Sequence, residues 1–132
     1  QVLQGTHNFT ASSGDTFKIA LYTNSSSLAA ATATYGDGTA TNEVSGSGYS
    51  AGGNTLTSVT PVADGTTAVC DFADTSWTSA TITAYGALIY NSSESNKSVC
   101  VLNFGGDKTC TSGTFTIQFP TADASNAILR LA

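Results

Sequence analysis

Thr81-Ile82-Thr83-Ala84-Tyr85-Gly86-Ala87-Leu88-Ile89-Tyr90 decides the fold class. Its β-branched and aromatic residues favour an extended chain. The last four are apolar on both parities, which a strand tolerates when both of its faces are covered, so Ala87 to Tyr90 is expected in the middle of the core. Working outward, Thr16 to Tyr22 places Phe17, Ile19 and Leu21 on one face. Thr114 to Phe119 does the same with Phe115, Ile117 and Phe119, while Thr114, Thr116 and Gln118 face the other way. Each reads as a half-buried strand with one wet side. Thr55 to Val62, Thr66 to Phe72, Ser98 to Phe104 and Ala127 to Leu131 are further strand patterns between Gly, Asn, Asp and Ser clusters. Gly105-Gly106-Asp107 carries a hairpin signal. Helical periodicity is nearly absent. The expected fold is all-β: a single domain over residues 1–132, built as an antiparallel β-sandwich or a jelly-roll-like barrel.

Composition sets the chemistry of the surface. Only 10% of the 132 residues are charged, against about 25% in an average globular domain. Hydroxyls take their place, with 22 Thr and 17 Ser. A hydroxyl loses far less hydration free energy on desolvation than an ion does, so such a surface suits burial against a partner. The formal net charge is -5, and the four basic residues, Lys18, Lys97, Lys108 and Arg130, are scattered. A nucleic acid or an anionic membrane requires a clustered basic face, and neither is expected as a partner. No apolar run approaches the roughly 20 residues that cross a bilayer.

Two segments fall outside the strand pattern. Tyr35 to Asn54 holds six glycines and almost no large apolar side chain, and it reads as a long loop of the kind that is functional or disordered. Gln1 to Asn8 reads as an N-terminal arm that docks on a neighbour or frays. Three cysteines, Cys70, Cys100 and Cys110, cannot all pair within one chain and are expected to be reduced. Because Cys100 and Cys110 flank the expected hairpin, one bond between them stays open.

The motifs that promise chemistry fail on context. Gly48-Tyr49-Ser50-Ala51-Gly52 matches the G-x-S-x-G nucleophile elbow, which needs a strand before the Ser, a helix after it and a base His later in the chain. Here Gly53, Asn54 and a Thr-rich strand follow, and the single histidine, His7, comes first. Gly46-Ser47-Gly48 likewise lacks a helix start that would bind a pyrophosphate. Asp37 with Glu43, and Asp71 with Asp74, are the close acidic pairs, but neither extends into a calcium loop, and Asp71 and Asp74 read as turn residues before Trp77. The thiols have no C-x-x-C spacing for a metal. Trp77, with Tyr49 and Tyr85, suggests either a sugar-stacking platform or, more often in a small sandwich, a core plug. No catalytic residue, cofactor or metal is expected, and the chain reads as a non-enzyme.

The order of segments adds a resemblance. Phe17-Lys18-Ile19-Ala20-Leu21-Tyr22, then Thr41-Asn42-Glu43-Val44-Ser45-Gly46-Ser47-Gly48-Tyr49-Ser50-Ala51-Gly52-Gly53, then Asp71-Phe72-Ala73-Asp74 leading into Trp77-Thr78-Ser79-Ala80-Thr81-Ile82-Thr83-Ala84, Ala87 to Tyr90, and Gly113 to Phe119 together resemble a family of small structural proteins of tailed bacteriophages. The family's longer, more helical N-terminus is cut here to Gln1-Val2-Leu3-Gln4.

The resemblance implies a virion component on the outside of the head: a capsid decoration, or cement, protein. Its implied partners are the major capsid protein and copies of itself, as a dimer or trimer at a local symmetry axis. Loops and termini adapt while a sandwich stays rigid, so Leu3, His7, Phe9, Tyr35, Asn42 and Tyr49 are the expected capsid contacts. The alternative is a carbohydrate-binding or adhesive module of a phage tail, neck or fibre. A pilus or secreted adhesin subunit fits the composition but not the odd thiol count or the lack of a visible signal sequence.

Overall fold

Seven strands follow one another in the computed structural model, which describes residues 4–36, 38 and 40–132. They are β1 (Phe17–Tyr22), β2 (Asn54–Thr55), β3 (Ser58–Asp64), β4 (Thr67–Phe72), β5 (Thr75–Asn91), β6 (Lys97–Ile117) and β7 (Leu129–Leu131). One sheet has the order β2-β1-β5-β6 and the other β3-β4-β7, with every pairing antiparallel. The two sheets pack against each other as a β-sandwich. No α-helix occurs among the described residues.

The β5–β6 hairpin dominates the architecture. Its arms have 17 and 21 residues, which fully extended would reach roughly 55 and 70 Å. Yet the accessible surface is 6645 Å², close to the roughly 6,500 Å² of a well-packed monomer of this mass. Four breaks in register allow the long ribbon to bend into that body. Ser79 and Ser112, at φ 51° and 48°, mark two of them. The widest lies between the pairs Ala84↔Lys108 and Gly86↔Asn103, where β6 holds three more residues than its partner and Gly105 sits at φ 71°.

That bulge replaces the hairpin expected at Gly105-Gly106-Asp107. The chain reverses instead between Asn91 and Lys97, where Ser95 and Asn96 adopt φ 53° and 58°. Cys100 and Cys110 therefore lie on one strand, opposite Ile89 and Ile82. Those partners are seven strand residues apart, about 23 Å, which removes the disulfide left open above; all three cysteines are free thiols. Burial pushes the Cys100 thiol up to about 11.

The core lies between the sheets. It gathers Phe17, Ile19 and Leu21 from β1, Phe72 from β4, Trp77, Ile82 and Ile89 from β5 and Phe115 from β6. Ala87 to Tyr90 is buried throughout, as the double-parity pattern requires. The expected wet side of β1 is a correction, because Ala20 and Tyr22 are buried too. With Leu88 and Tyr90 they form a second, smaller cluster on the other face of the sheet, under Leu28, Tyr35 and Ala40. Trp77 is a core plug, only 4% exposed and packed edge-on to Phe115, so it offers no sugar platform.

The N-terminal segment docks on its own chain rather than fraying from His7 onward. Phe9 stacks on Phe17 at 4.6 Å, and His7 packs edge-on to the same ring. Asn91, fully buried, donates from Nδ2 to His7 Nδ1 at 3.0 Å and to Asp15 Oδ2 at 2.7 Å, while its Oδ1 accepts from the Ser93 amide. With Nδ1 accepting, the proton of neutral His7 resides on Nε2, a buried atom beside the Ser98 backbone.

Burial holds the His7 pKa below its ordinary value, and this carries a prediction. The unfolded histidine titrates near pH 6.5, so just below that pH the unfolded chain binds the extra proton. Stability is full above that window and declines as pH falls through it, with a slope of at most about 1.4 kcal/mol per pH unit. Urea unfolding at pH 7.5, 6 and 5 is expected to show this slope in the native chain and to lose it in His7→Gln.

Candidate interaction surface

From Asn42 onward, the segment read as a long loop, functional or disordered, is bound along the sheet. Where β1 ends at Tyr22, the chain from Asn42 takes over as a neighbour of the sheet. Thr23 donates to the Asn42 carbonyl at 3.1 Å, Val44 to Leu21 at 2.8 Å, and Thr81 of β5 to Ser47 at 2.9 Å. Val44 is 4% exposed and joins the main core.

The glycines permit this contact rather than loosen it. Gly53 has φ 67°, and a Cβ there would run into the Ile19 carbonyl. At Gly48 (φ 78°) a Cβ would meet the Ala80 Cα at 2.8 Å. Glycine allows backbone to lie on backbone at such points.

A carboxylate organises the rest. Glu43 accepts from Tyr49 Oη at 2.7 Å, from the Gly52 amide at 2.7 Å and from Tyr35 Oη at 2.9 Å. Tyr90 Oη donates to the Gly52 carbonyl at 2.8 Å, and its ring stacks on Tyr35 at 4.4 Å. The Leu21 amide donates to Tyr49 Oη at 2.9 Å, which ties the network to β1. Desolvation, reinforced by Glu43, pushes the Tyr35 hydroxyl up to about 12 and the Tyr49 hydroxyl higher still. Both phenols therefore stay protonated and keep donating at any ordinary pH.

What this framework presents to solvent is small and neutral. Thr41, Asn42, Ser45, Ser47 and Ser50 are exposed. A cleft of about 480 Å³ separates Thr23, Asn42 and Ser45 from Thr81, Thr83, Thr109 and Thr111 on the β5–β6 ribbon. Its far wall is braced by a cross-strand hydroxyl pair, Thr83 with Thr109 at 2.9 Å. Such a cleft can exchange neutral hydrogen bonds with a polar backbone or with hydroxyls; the ionisable groups that line it are Glu43, tied up by three donors, and the Cys110 thiol.

Of the expected contact residues, Asn42 is fully presented: it sits at φ 62° and donates to the Ser25 carbonyl at 2.8 Å. Tyr35 and Tyr49 are partly buried with their hydroxyls inside the Glu43 network. His7 and Phe9 are each 8% exposed, covered by the chain's own core. Leu3 lies outside the described residues, as does Asp37. Sequence reasoning missed Glu43 as the organiser, because its donors are spread over residues 35, 49 and 52.

The elbow motif has no catalytic geometry. Ser50 is exposed in a turn closed by its own carbonyl and the Gly53 amide at 2.9 Å, with Asn54 of β2 next in line rather than a helix. His7 is committed to Asn91 elsewhere. The expected turn pair is only half met: Asp74 lies between β4 and β5 but its Oδ1 accepts from the distant Phe119 amide at 2.8 Å, whereas Asp71 is buried within β4 opposite Val59, its Oδ1 accepting from the Phe72 amide at 2.8 Å. Among the described residues no three His, Cys, Asp or Glu side chains converge to hold a metal ion. Comparison with family models, with curated proteins and with solved structures finds no match to this chain.

Proposed function

We propose that this chain is a structural component of a tailed-phage particle: a capsid decoration protein that binds the outside of the major capsid lattice and stiffens the head. The observation that carries this reading is a rigid, almost uncharged hydroxyl surface held on the sandwich by the Glu43 network. Burying such a surface forfeits little hydration, and a loop ordered in advance loses little entropy on contact. An interface of about 1,600 Å², repeated over the symmetry-related sites of a shell, converts modest single affinities into particle stability. The contacts would lie along Asn42, Ser45 and the threonine cleft, with His7 and Phe9 serving to hold the fold beneath. A glycan-binding or adhesive module on a tail, neck or fibre is the second reading. The burial of Trp77 takes away its aromatic platform, leaving the threonine cleft to contact sugar hydroxyls. Particles stripped of the protein are expected to burst at a lower temperature and a weaker osmotic shock, and to recover on adding it back; unchanged thresholds would exclude a cementing role.

A further inference from the structure

A groove of about 610 Å³ runs along the outer edge of β6, between Ala30–Ala33 and Ser98–Val101. It begins where a ladder stops. Tyr35 donates to the Asn96 carbonyl and Ser98 to the Ala33 carbonyl, both at 2.9 Å, with Thr34 opposite Lys97. Continued antiparallel, that ladder would set Thr32 against Val99, Ala31 against Cys100 and Ala30 against Val101. Instead the chain turns away, and the turn is closed by its own bonds. The Thr32 amide donates to the Ala29 carbonyl at 2.9 Å, and the Ala29 amide donates to Thr32 Oγ1 at 3.1 Å. Thr32 is buried, so this wall is fixed and does not collapse onto β6.

We infer that this groove receives an extended peptide segment from another chain, which adds as a strand to the edge of β6. β6 is the last strand of its sheet. Beyond Ser98 no backbone hydrogen bond joins its outer edge to another described segment. Unpaired amides and carbonyls along a strand edge are satisfied in register by one kind of partner, an extended backbone. Natural edges are guarded by charge or proline, yet Ser98–Val101 has neither. Ser98 Oγ, buried and without a hydrogen-bond partner, lines the same groove.

The walls also specify the occupant. Three residues of strand span about 10 Å, the length of the open stretch Val99–Val101. The opposing alanines leave room for small or β-branched side chains, and a wall on either side admits a single strand rather than the rim of another sheet. The groove is distinct from the threonine cleft, and the inference does not depend on the lattice role, since it is tested without particles.

The probe is a capped peptide of alternating valine and alanine with one terminal glutamate for solubility, titrated into isotopically labelled protein and followed by NMR. Shifts are expected at the amides of residues 30–33 and 99–101, with slowed exchange at the β6 amides. An analogue N-methylated at alternate positions loses two or so backbone bonds and is expected to bind roughly 10- to 30-fold more weakly. Ala31→Phe changes an exposed side chain that lines the groove, so it is expected to block binding while leaving the circular dichroism spectrum unchanged. Three results overturn the inference: no shifts at those amides, equal binding of the N-methylated analogue, or β6 amides already protected in a protein that sediments as a dimer, which would make a second copy the occupant.

Discussion

Phe17→Ala is expected to lower the unfolding free energy by about 3–5 kcal/mol, the range for emptying a large aromatic site in a core that cannot close over it. The site cannot close because its walls come from separate parts of the chain. Phe17 is fully buried on β1. It is stacked on Phe9 at 4.6 Å, tilted against Phe72 of β4 at 5.5 Å and edged by His7 at 6.1 Å. Removing the ring leaves Phe9 with no surface to stack on, so the N-terminal segment loses its dock together with the core. Melting should fall by roughly 10–18 °C. Phe17→Leu, which restores most of the volume, should cost on the order of 1.5 kcal/mol. A second readout separates undocking from a simple cavity. If His7 is released to water, the decline of stability below pH 6.5 disappears in Phe17→Ala, whereas a hole with the segment still in place retains it. A loss under about 1 kcal/mol would mean that the aromatic stack is not formed in solution.

Several of these elements are legible in sequence for a clear reason. Ala87 to Tyr90, apolar on both parities, signals a strand covered on both faces, and the structure places it there. Phe115 and Ile117 against Thr114 and Thr116 alternate as a one-sided strand does. Elsewhere one local signal served two structures. Gly105 supplies a positive φ, which a hairpin and a bulge both use; the true reversal takes its positive φ from Ser95 and Asn96, whose side chains give a weaker signal. The β1 pattern shows which side chains alternate but not that Leu28, Tyr35 and Ala40 return to cover Ala20 and Tyr22, a fact of tertiary structure alone.

Glycine misled in the same way over residues 35–54. Composition registers six glycines as freedom, whereas at Gly53 the missing side chain marks a place where the loop touches the Ile19 backbone. The Glu43 network was equally hidden, since a carboxylate with donors at residues 35, 49 and 52 leaves no periodic trace.

Glu43→Ala is expected to cost about 3–4 kcal/mol, less than the sum of three separate charge-assisted hydrogen bonds because the three share one acceptor. Tyr49 Oη and Tyr35 Oη would be left partly buried without their acceptor, and the Gly52 amide would lose the bond that seats the turn against Tyr90. Glu43→Gln keeps an acceptor oxygen but turns an amide toward one of the donors, so a smaller loss of roughly 1–2 kcal/mol is expected. Urea titration gives these magnitudes, and hydrogen exchange localises them: amides of Val44 and Gly53 should lose protection while those of Leu88 and Ile89 keep theirs. The same variants bear on recognition. Glu43 is turned inward and shares the cleft with Asn42 and Ser45 without offering a free oxygen. If the loop is the contact surface, Glu43→Ala weakens attachment to particles although no exposed contact residue has changed, because the loop must then be ordered at the moment of binding. Asn42→Gly, which removes an exposed side chain bonded only at the loop's rim while suiting the φ of 62°, should weaken attachment with little change in the urea midpoint. Equal attachment by both variants and the native protein would move the contact surface away from this loop.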